Sequence, residues 1–220
     1  MENQLKIVAT LDTYEKIQDG CQKVISNYTP TFNIDKTWTT YKLGDVCKVI
    51  NGRAYKQDEL LDSGKYRVLR VGNFFTSSSW YYSDLELPDD KYCNFGDLLY
   101  AWSASFGSKI WDGDKTIFHY HIWKMVPDED VVLKKYLFYL LEKMTEQMKH
   151  EGGRGGIMMH LTKEGMENMV ISVPGIAIQK EIVNELDARQ NVIEGNKSLM
   201  KIYEGLIKST MGDVWASDNY

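Results

Sequence analysis

No apolar run in this sequence approaches the roughly 20 residues that a membrane span requires, so no membrane partner is expected. The opening residues, Met1-Glu2-Asn3-Gln4-Leu5-Lys6, lack both the basic n-region and the apolar h-region of a secretory leader. Cysteine is scarce. Cys21, Cys47 and Cys93 are isolated, odd in number and form no CxxC pair, which excludes a disulfide framework and points to reduced thiols in the cytoplasm. Catalytic signatures are missing as well. There is no glycine-rich Walker pattern for ATP, no Asn-Pro-Pro-aromatic motif for adenine methylation, and no G-x-S-x-G elbow for a serine nucleophile. No catalytic residue and no cofactor are therefore expected.

Metal chemistry has two weak footholds. His119 and His121 alternate by two and would share one strand face, but no third ligand stands in register with them. Pro127-Asp-Glu-Asp130 with Lys134 and Lys135 faintly suggests a metal-dependent nuclease. Acids at a helix start account for that cluster more simply, because negative charge there complements the helix dipole. No metal site is expected.

What is present reads as globular. Charged residues make up 26% and hydrophobic ones 43% of 220 residues, enough for one or two domains with a real core. The net charge of −5 argues at first against a nucleic-acid partner. Location matters more than the total. From Lys48 to Trp80 there are six basic residues and three acidic ones; from Lys163 to the end, nine acidic and six basic. The stretch Lys48–Trp80 is basic and the stretch from Lys163 onward is acidic.

Those ends repeat each other. Gln179-Lys-Glu-Ile-Val-Asn-Glu-Leu-Asp187 echoes Gln4-Leu-Lys-Ile-Val-Ala-Thr-Leu-Asp12, and continuing without a gap to Tyr28 and Tyr203 gives seven identities in 25 positions. Average composition would give roughly one or two. Each copy has a helical period. Ile7, Leu11, Tyr14, Cys21, Ile25 and Tyr28 form one stripe, interrupted by Gln18 and widened by Val8, Ile17 and Val24. Ile182, Leu186, Ile193, Met200, Tyr203 and Ile207 form the other, with Val183, Val192, Leu199 and Leu206 alongside and Arg189 and Asn196 as polar interruptions. Such spacing marks helices that pair. The spacing predicts a first helix of about 37 Å and a second, Ile178 to about Met211, of about 50 Å. Gly20 and Gly195 recur inside them, as if for a close backbone approach.

Between the helices lies a strand-rich region. Pro30 and Thr29 to Asp35 end the first helix and link it onward. A turn followed by a strand is expected over Tyr41–Ile50, and strands at Lys65–Val71, Trp80–Tyr82, Leu98–Trp102 and Ile117–Met125, with turns at Asn51-Gly52, Gly72-Asn73 and Phe95-Gly-Asp97. An amphipathic helix is expected over Val131–Met148, then a glycine-rich loop, Gly152-Gly-Arg-Gly-Gly156, a short helix from Thr162 to about Asn168, and a strand at Met169–Val173. The expected division is 1–36, helix and linker; 37–175, the mixed domain; 176–220, the second helix.

In order and spacing, Leu11-Asp-Thr-Tyr-Glu-Lys-Ile-Gln-Asp-Gly20 leading to Trp38 and Lys42-Leu-Gly-Asp-Val46, then Asp97-Leu-Leu-Tyr-Ala-Trp-Ser-Ala-Ser-Phe-Gly107, then Val173-Pro-Gly-Ile-Ala-Ile-Gln-Lys-Glu-Ile-Val183, resemble the specificity subunits of type I restriction-modification systems over nearly the whole chain. The resemblance implies an α+β fold, one mixed α/β target recognition domain flanked by long coiled-coil-like spacer helices. It implies a non-catalytic subunit that reads double-stranded DNA and docks methyltransferase (M) subunits and, optionally, restriction (R) subunits. Family members usually carry two recognition domains. This chain has one, so it resembles a half subunit, and a homodimer through the spacer helices is expected to complete a bipartite target. The competing classes are a helical interaction scaffold without DNA recognition and the metal-dependent nuclease.

Candidate DNA contacts follow from side-chain chemistry: arginine suits guanine, asparagine suits adenine, lysine neutralises phosphate. They are Arg53, Tyr55, Lys56, Arg67, Arg70, Asn73, Ser103, Ser105, Lys109, Arg154 and His160. The tryptophans and tyrosines Trp80, Tyr81, Tyr82, Trp102, Trp111 and Trp123 are expected in the core or at its rim rather than on bases. Candidate helix-pairing residues are Ile7, Leu11, Ile182, Leu186, Ile193, Met200 and Ile207.

Overall fold

A computed structural model describes residues 2–28, 30–103, 105–152 and 161–217. The chain runs α1 (Glu2–Ser26), β1 (Thr39–Lys42), α2 (Leu43–Val46), β2 (Cys47–Asn51), β3 (Tyr66–Leu69), α3 (Val71–Phe75), β4 (Tyr81–Ser83) and β5 (Tyr92–Cys93). It continues with β6 (Leu98–Ser103), β7 (Ser105–Ile110), β8 (Thr116–Phe118), β9 (Ile122–Pro127), α4 (Lys134–Gly152), α5 (Lys163–Glu167), β10 (Val170–Val173) and α6 (Ile176–Ser217). It divides into two compact units, Thr31–Val183 and a helical unit of Met1–Pro30 with Asn184–Tyr220. The fold is α+β, with the long helices the sequence implied.

In the helical unit the two copies of the repeat lie against each other. The rings of Tyr14 and Tyr203 are 5.3 Å apart, and the Gln18 side-chain amide donates to the Met200 carbonyl at 3.4 Å. Tyr28 stands within electrostatic reach of Asp187 and Arg189. Positions that rise along α1 meet positions that fall along α6, so the pair is antiparallel. The repeat maps Tyr14 onto Arg189 and Tyr28 onto Tyr203. The Tyr14–Tyr203 contact and the Tyr28–Arg189 approach are therefore the same contact met twice about an internal two-fold axis. Cys21 and Ile193 are buried on this seam, with Ile7, Leu11, Met200 and Ile207 half-buried, while Leu186 is buried and Ile182 half-buried nearer the start of α6.

Two details depart from expectation. A Cβ on Gly20 or Gly195 would meet no atom within 4 Å, because both glycines lie on the exposed side and not in the seam. They allow no close backbone approach. And α6 has 42 residues, about 63 Å at the usual rise, since no breaker interrupts it after Pro174-Gly175.

The other unit holds three sheets. β1 pairs with β10; β2, β9, β6 and β7 form an antiparallel sheet in that order; β4, β3, β8 and β5 form the third, with β3 and β8 parallel. Helix α4 covers one face of the β2-β9-β6-β7 sheet with the buried Tyr136, Leu137, Leu140 and Leu141. The Tyr100 hydroxyl meets Thr145 at 2.9 Å, and the Ser108 backbone N–H and hydroxyl both donate to Glu142. On the opposite face Leu99, Ala101 and Ile122 join Leu69, Phe74, Cys93, Trp111 and Phe118 in one core cluster.

The helix expected from Val131 begins at Lys134, because Val131 and Val132 close a turn onto the Asp128 carbonyl. The acids at 128–130 thus precede the helix, and Glu129 pairs with Lys134 at 3.7 Å. The stretch expected as one strand, Ile117–Met125, is two strands in two sheets, β8 and β9, joined across His119-Tyr120-His121. The histidines consequently flank a turn and do not share a strand face. Gly52 makes that crossing possible: a Cβ there would overlap the backbone carbonyls of Phe118 and His119. The strand expected up to Val71 ends at Leu69, where the chain turns into the short helix α3.

Candidate nucleic-acid interface

Strand β3 carries alternating residues to two cores. Val68 packs in a cluster with Tyr92 and Ile117, and Leu69 in the cluster with Phe74 and Trp111. The neighbouring strand segment follows the same division: Trp80 packs against the Leu69 cluster and Tyr81 against the Val68 cluster. The exposed arginines follow the parity of their strand. Arg67 places its guanidinium carbon 5.4 Å from the Trp80 ring centre, and Arg70 places its own 5.1 Å from Tyr81. Trp80 meets Trp111 edge-on at 6.5 Å, and the Trp111 ring supports Lys109 at 5.6 Å. The Trp111 indole N–H donates to the Asp114 carbonyl at 2.9 Å, which fixes that ring.

Charge pairing separates these arginines from Arg53 and Arg189, the other described arginines. Both ends of the Arg53 fork are held by Glu59, at 2.8 and 2.6 Å, and the guanidinium also lies 5.1 Å from the Tyr55 ring centre. That contact, with the Lys56 backbone N–H, pulls the Glu59 carboxyl down to about 2. Arg189 is paired with Glu185. Among the described residues, Arg67 and Arg70 have no carboxylate partner. A guanidinium is weakly hydrated and suited to a ring face, and its planar N–H fork matches phosphate or the edge of guanine.

Beside Arg70 stands the turn between β8 and β9. Arg53 and His119 form an isolated bridge, and the Tyr55 ring stacks on His119 at 6.3 Å. His119, Tyr120, His121 and Trp102 follow in ring contact, with the two imidazoles 4.9 Å apart and Trp102 to His121 5.2 Å. Burial, then the neighbouring His121 and Arg70, hold the His119 pKa down to about 4, so the imidazole is neutral at ordinary pH. The Trp102 indole donates to the Tyr120 carbonyl at 3.0 Å. A depression of about 470 Å³ opens next to it between Asn51, Trp102, Trp123 and Lys163.

The remaining candidates are dispersed. The Lys56 backbone is tied to Glu59, and Lys109 shares its charge with Asp112 at 3.4 Å. Asn73 donates to the carbonyls of Ser77 at 3.3 Å and Ser79 at 2.6 Å, which commits its amide to its own loop. Ser103 and Ser105 face each other at the tip of the β6–β7 hairpin. Arg154 and His160 lie outside the described residues. Among the described residues no group of three His, Cys, Asp or Glu side chains converges as metal ligands, and no helix is long and apolar enough to cross a membrane.

Sequence reading missed the part played by the rings. Trp80, Tyr81 and Trp111 are rim and core residues as expected, yet each also lies under a cation. The available signal was the pairing of the alternating Arg67-Val-Leu-Arg70 with a nearby Trp80-Tyr-Tyr82, which places rings beside arginines once the strands are made neighbours.

Residues 35–201 match the family model described as the type I restriction modification DNA specificity domain. Among characterised proteins, the chain is similar to the type I restriction enzyme EcoBI specificity subunit of Escherichia coli, 18% identical over 183 residues, which is 83% of this chain and 38% of that protein. It is also similar to the type I restriction enzyme MjaVIII specificity subunit of Methanocaldococcus jannaschii, 27% identical over 162 residues, 73% of this chain and 37% of that one. In fold it matches the HsdS subunit of Thermoanaerobacter tengcongensis with a TM-score of 0.60 and 17% identity, over 96% of this chain and 58% of that one. The S subunit of M. genitalium gives a TM-score of 0.53 at 14% identity, over 95% and 57%. The chain thus spans under two fifths of the length of those two characterised relatives and under three fifths of the solved structures.

Proposed function

The chain belongs to the type I restriction-modification DNA specificity family, and from that premise we propose that Thr31–Val183 is a non-catalytic reading head for one half of a bipartite DNA target. The observation that carries this reading is the pair Arg67 and Arg70, exposed, free of carboxylates among the described residues and set on ring faces. An overall charge of −5 does not oppose it, since Lys48–Trp80, the stretch that carries both arginines, has six basic residues against three acidic ones. Lys109 lies near the same cluster and neutralises phosphate; Arg67 and Arg70 read base edges. Tyr55, Lys56, Ser103, Ser105, Arg154 and His160 are proposed to support the backbone contacts.

The helical unit docks the methyltransferase subunits, and through them restriction subunits where these are present. Supporting this is a second apolar stripe outside the seam: Val192, Leu199, Ile202 and Leu206 of α6 are 40 to 57% exposed, and Val24 of α1 is 43% exposed. The internal axis runs across the pair, so equivalent positions such as Val24 and Leu199 share one side. A helical partner would cover that side. The same pair sets the distance between half-sites. One duplex turn is about 34 Å, and α1 alone is about 37 Å long. A homodimer through the seams requires exchange, because each seam is already filled by the chain's other helix. The repeat makes α6 of a second copy a near-equivalent of α1, so exchange would join two reading heads.

Binding to a randomised duplex library, with and without the partner methyltransferase, tests the reading. Arg67→Ala is expected to relax base preference at one position by about 1–3 kcal/mol. Lys109→Ala is expected to weaken all sequences alike and lower the salt slope by about one. Wild-type preference in Arg67→Ala and Arg70→Ala together would end it.

A further inference from the structure

We propose that Trp80 and Tyr81 govern the base specificity of this head without touching a base, by fixing the forks of Arg67 and Arg70. The inference rests on the DNA reading proposed above and adds positioning residues to it.

Three features carry it. First, the two rings are anchored independently of the arginines. Trp80 is wedged against the Leu69 cluster and edge-on to Trp111; Tyr81 packs in the Val68 cluster. Each ring is thus a fixed surface on which a flexible side chain settles. Second, a ring holds a guanidinium through its face, which leaves the in-plane N–H edge open to a ligand. A carboxylate would occupy that same edge. Arg53 illustrates the contrast within the domain: it has a ring, Tyr55, and also Glu59, and Glu59 fills its fork. Third, Arg67 and Arg70 have opposite strand parity and load onto different clusters. One is held from within β3 and the other from the extended residue just after it, against different clusters, and they address different base pairs.

Holding the fork matters for discrimination more than for attraction. Bidentate contact to guanine needs the guanidinium plane aligned with the base pair. Phosphate attraction needs only the charge. Removing a ring leaves the cation in place, so the counterion-release slope stays constant. The base preference falls.

The test uses the full chain with its partner methyltransferase and a randomised duplex library, followed by titrations of the enriched duplex and its single-base variants at several salt concentrations. The variants are Tyr81→Leu, Tyr81→Phe and Trp80→Leu, with Arg67→Ala and Arg70→Ala alongside. Tyr81→Leu is expected to lose about tenfold in discrimination at the position that Arg70→Ala affects, at the lower end of what a bidentate contact provides. Its salt slope should match the wild type. Tyr81→Phe, which keeps the ring, should retain the preference within about twofold. Trp80→Leu should broaden the position that Arg67→Ala affects. Where Trp80→Leu fails to fold, Tyr81→Leu against Tyr81→Phe decides alone.

Wild-type preference in Tyr81→Leu, while Arg70→Ala loses it, would overturn the positioning role and leave the DNA reading intact. Equal losses in Tyr81→Phe and Tyr81→Leu would also overturn it, by assigning the effect to the hydroxyl. Wild-type behaviour in both arginine variants would overturn this inference together with the reading beneath it.

Discussion

Replacing Gln179 tests how the first turn of α6 is fastened within the Thr31–Val183 unit. Gln179 is fully buried, and its amide bonds three backbone groups. Its carbonyl oxygen accepts from the Leu133 N–H at 2.8 Å, and its nitrogen donates to the carbonyls of Val131 at 2.9 Å and Pro174 at 2.8 Å. One side chain thereby joins the turn before α4, the end of β10 and the first turn of α6. Gln179→Ala leaves those three groups facing a void. An unsatisfied buried group costs about 1–3 kcal/mol. Two of the three bonds are only partly buried, and water entering the void can restore some of them, so a total of about 3 kcal/mol is expected. In a chain of this size that lowers the melting temperature by about 6–12 °C. Urea unfolding followed by tryptophan fluorescence suits the question, because five of the six tryptophans lie in Thr31–Val183. Gln179→Glu sharpens it. A carboxylate still accepts from Leu133 but faces two carbonyls with no proton to give. Burial would raise its pKa above an unfolded value of about 4.3, so its deficit relative to wild type should grow as pH rises from there. A change below about 0.5 kcal/mol in Gln179→Ala, the range of an ordinary surface substitution, would refute the reasoning.

Two further outcomes follow from the same geometry. The His119 pKa of about 4 lies below its ordinary 6.5, so the unfolded chain binds the proton more readily between these values. Stability should be fully present above pH 6.5 and decline as pH falls toward 4, and the His119 ring proton in an NMR titration should show its midpoint near the lower value; a midpoint at 6.5 would contradict the burial. In the helical unit, Ile193→Ala on the buried seam should cost about 2–4 kcal/mol. Leu199→Ala, 43% exposed, should change stability by under about 0.5 kcal/mol yet weaken capture of the methyltransferase, as measured by co-purification and calorimetry. Equal stability losses at the two positions would remove the distinction between seam and docking stripe.

Local rules carried the reading of the sequence far where periodicity governs structure. The heptad-like positions Tyr14 and Tyr203 follow from spacing alone and meet ring to ring, and Leu11, Ile193 and Met200 on the same stripes are buried or half-buried. The sequence expects a short helix from Thr162, and the Thr162 hydroxyl accepts from the Gly165 N–H at 3.0 Å at that helix start. Spacing could not reveal the break at His119-Tyr120-His121. Nine β-prone residues from Ile117 to Met125 read as one strand, and the break between them rests on a distant residue, Gly52 just after β2, whose missing Cβ leaves room for the Phe118 and His119 carbonyls. The charge of Arg53 was legible, but its neutralisation by Glu59 six residues on depends on a turn that composition does not encode. Nor does sequence distinguish it from Arg67 and Arg70, whose partners are rings on another strand.

The repeat shows how the same letters acquire different duties. Leu11 and Leu186 are equivalent, and one is half-buried while the other is 1% exposed. Gln4 and Gln179 are also equivalent and identical. Gln4 is exposed, and nothing in the structure explains its identity there. Gln179 ties three chain segments together. The pairing code is shared by both copies, since it needs only the stripe. The anchoring function belongs to one copy, because only α6 has its first residues, Ile176–Val183, within the Thr31–Val183 unit. An antiparallel pair with an internal axis tolerates that division, for the axis constrains the seam and leaves the helix ends free to differ. Substitutions at seam positions should therefore couple across the seam, Tyr14 with Tyr203 and Tyr28 with Arg189, in double-mutant cycles of urea unfolding, while substitutions at Gln4 and Gln179 should add without coupling.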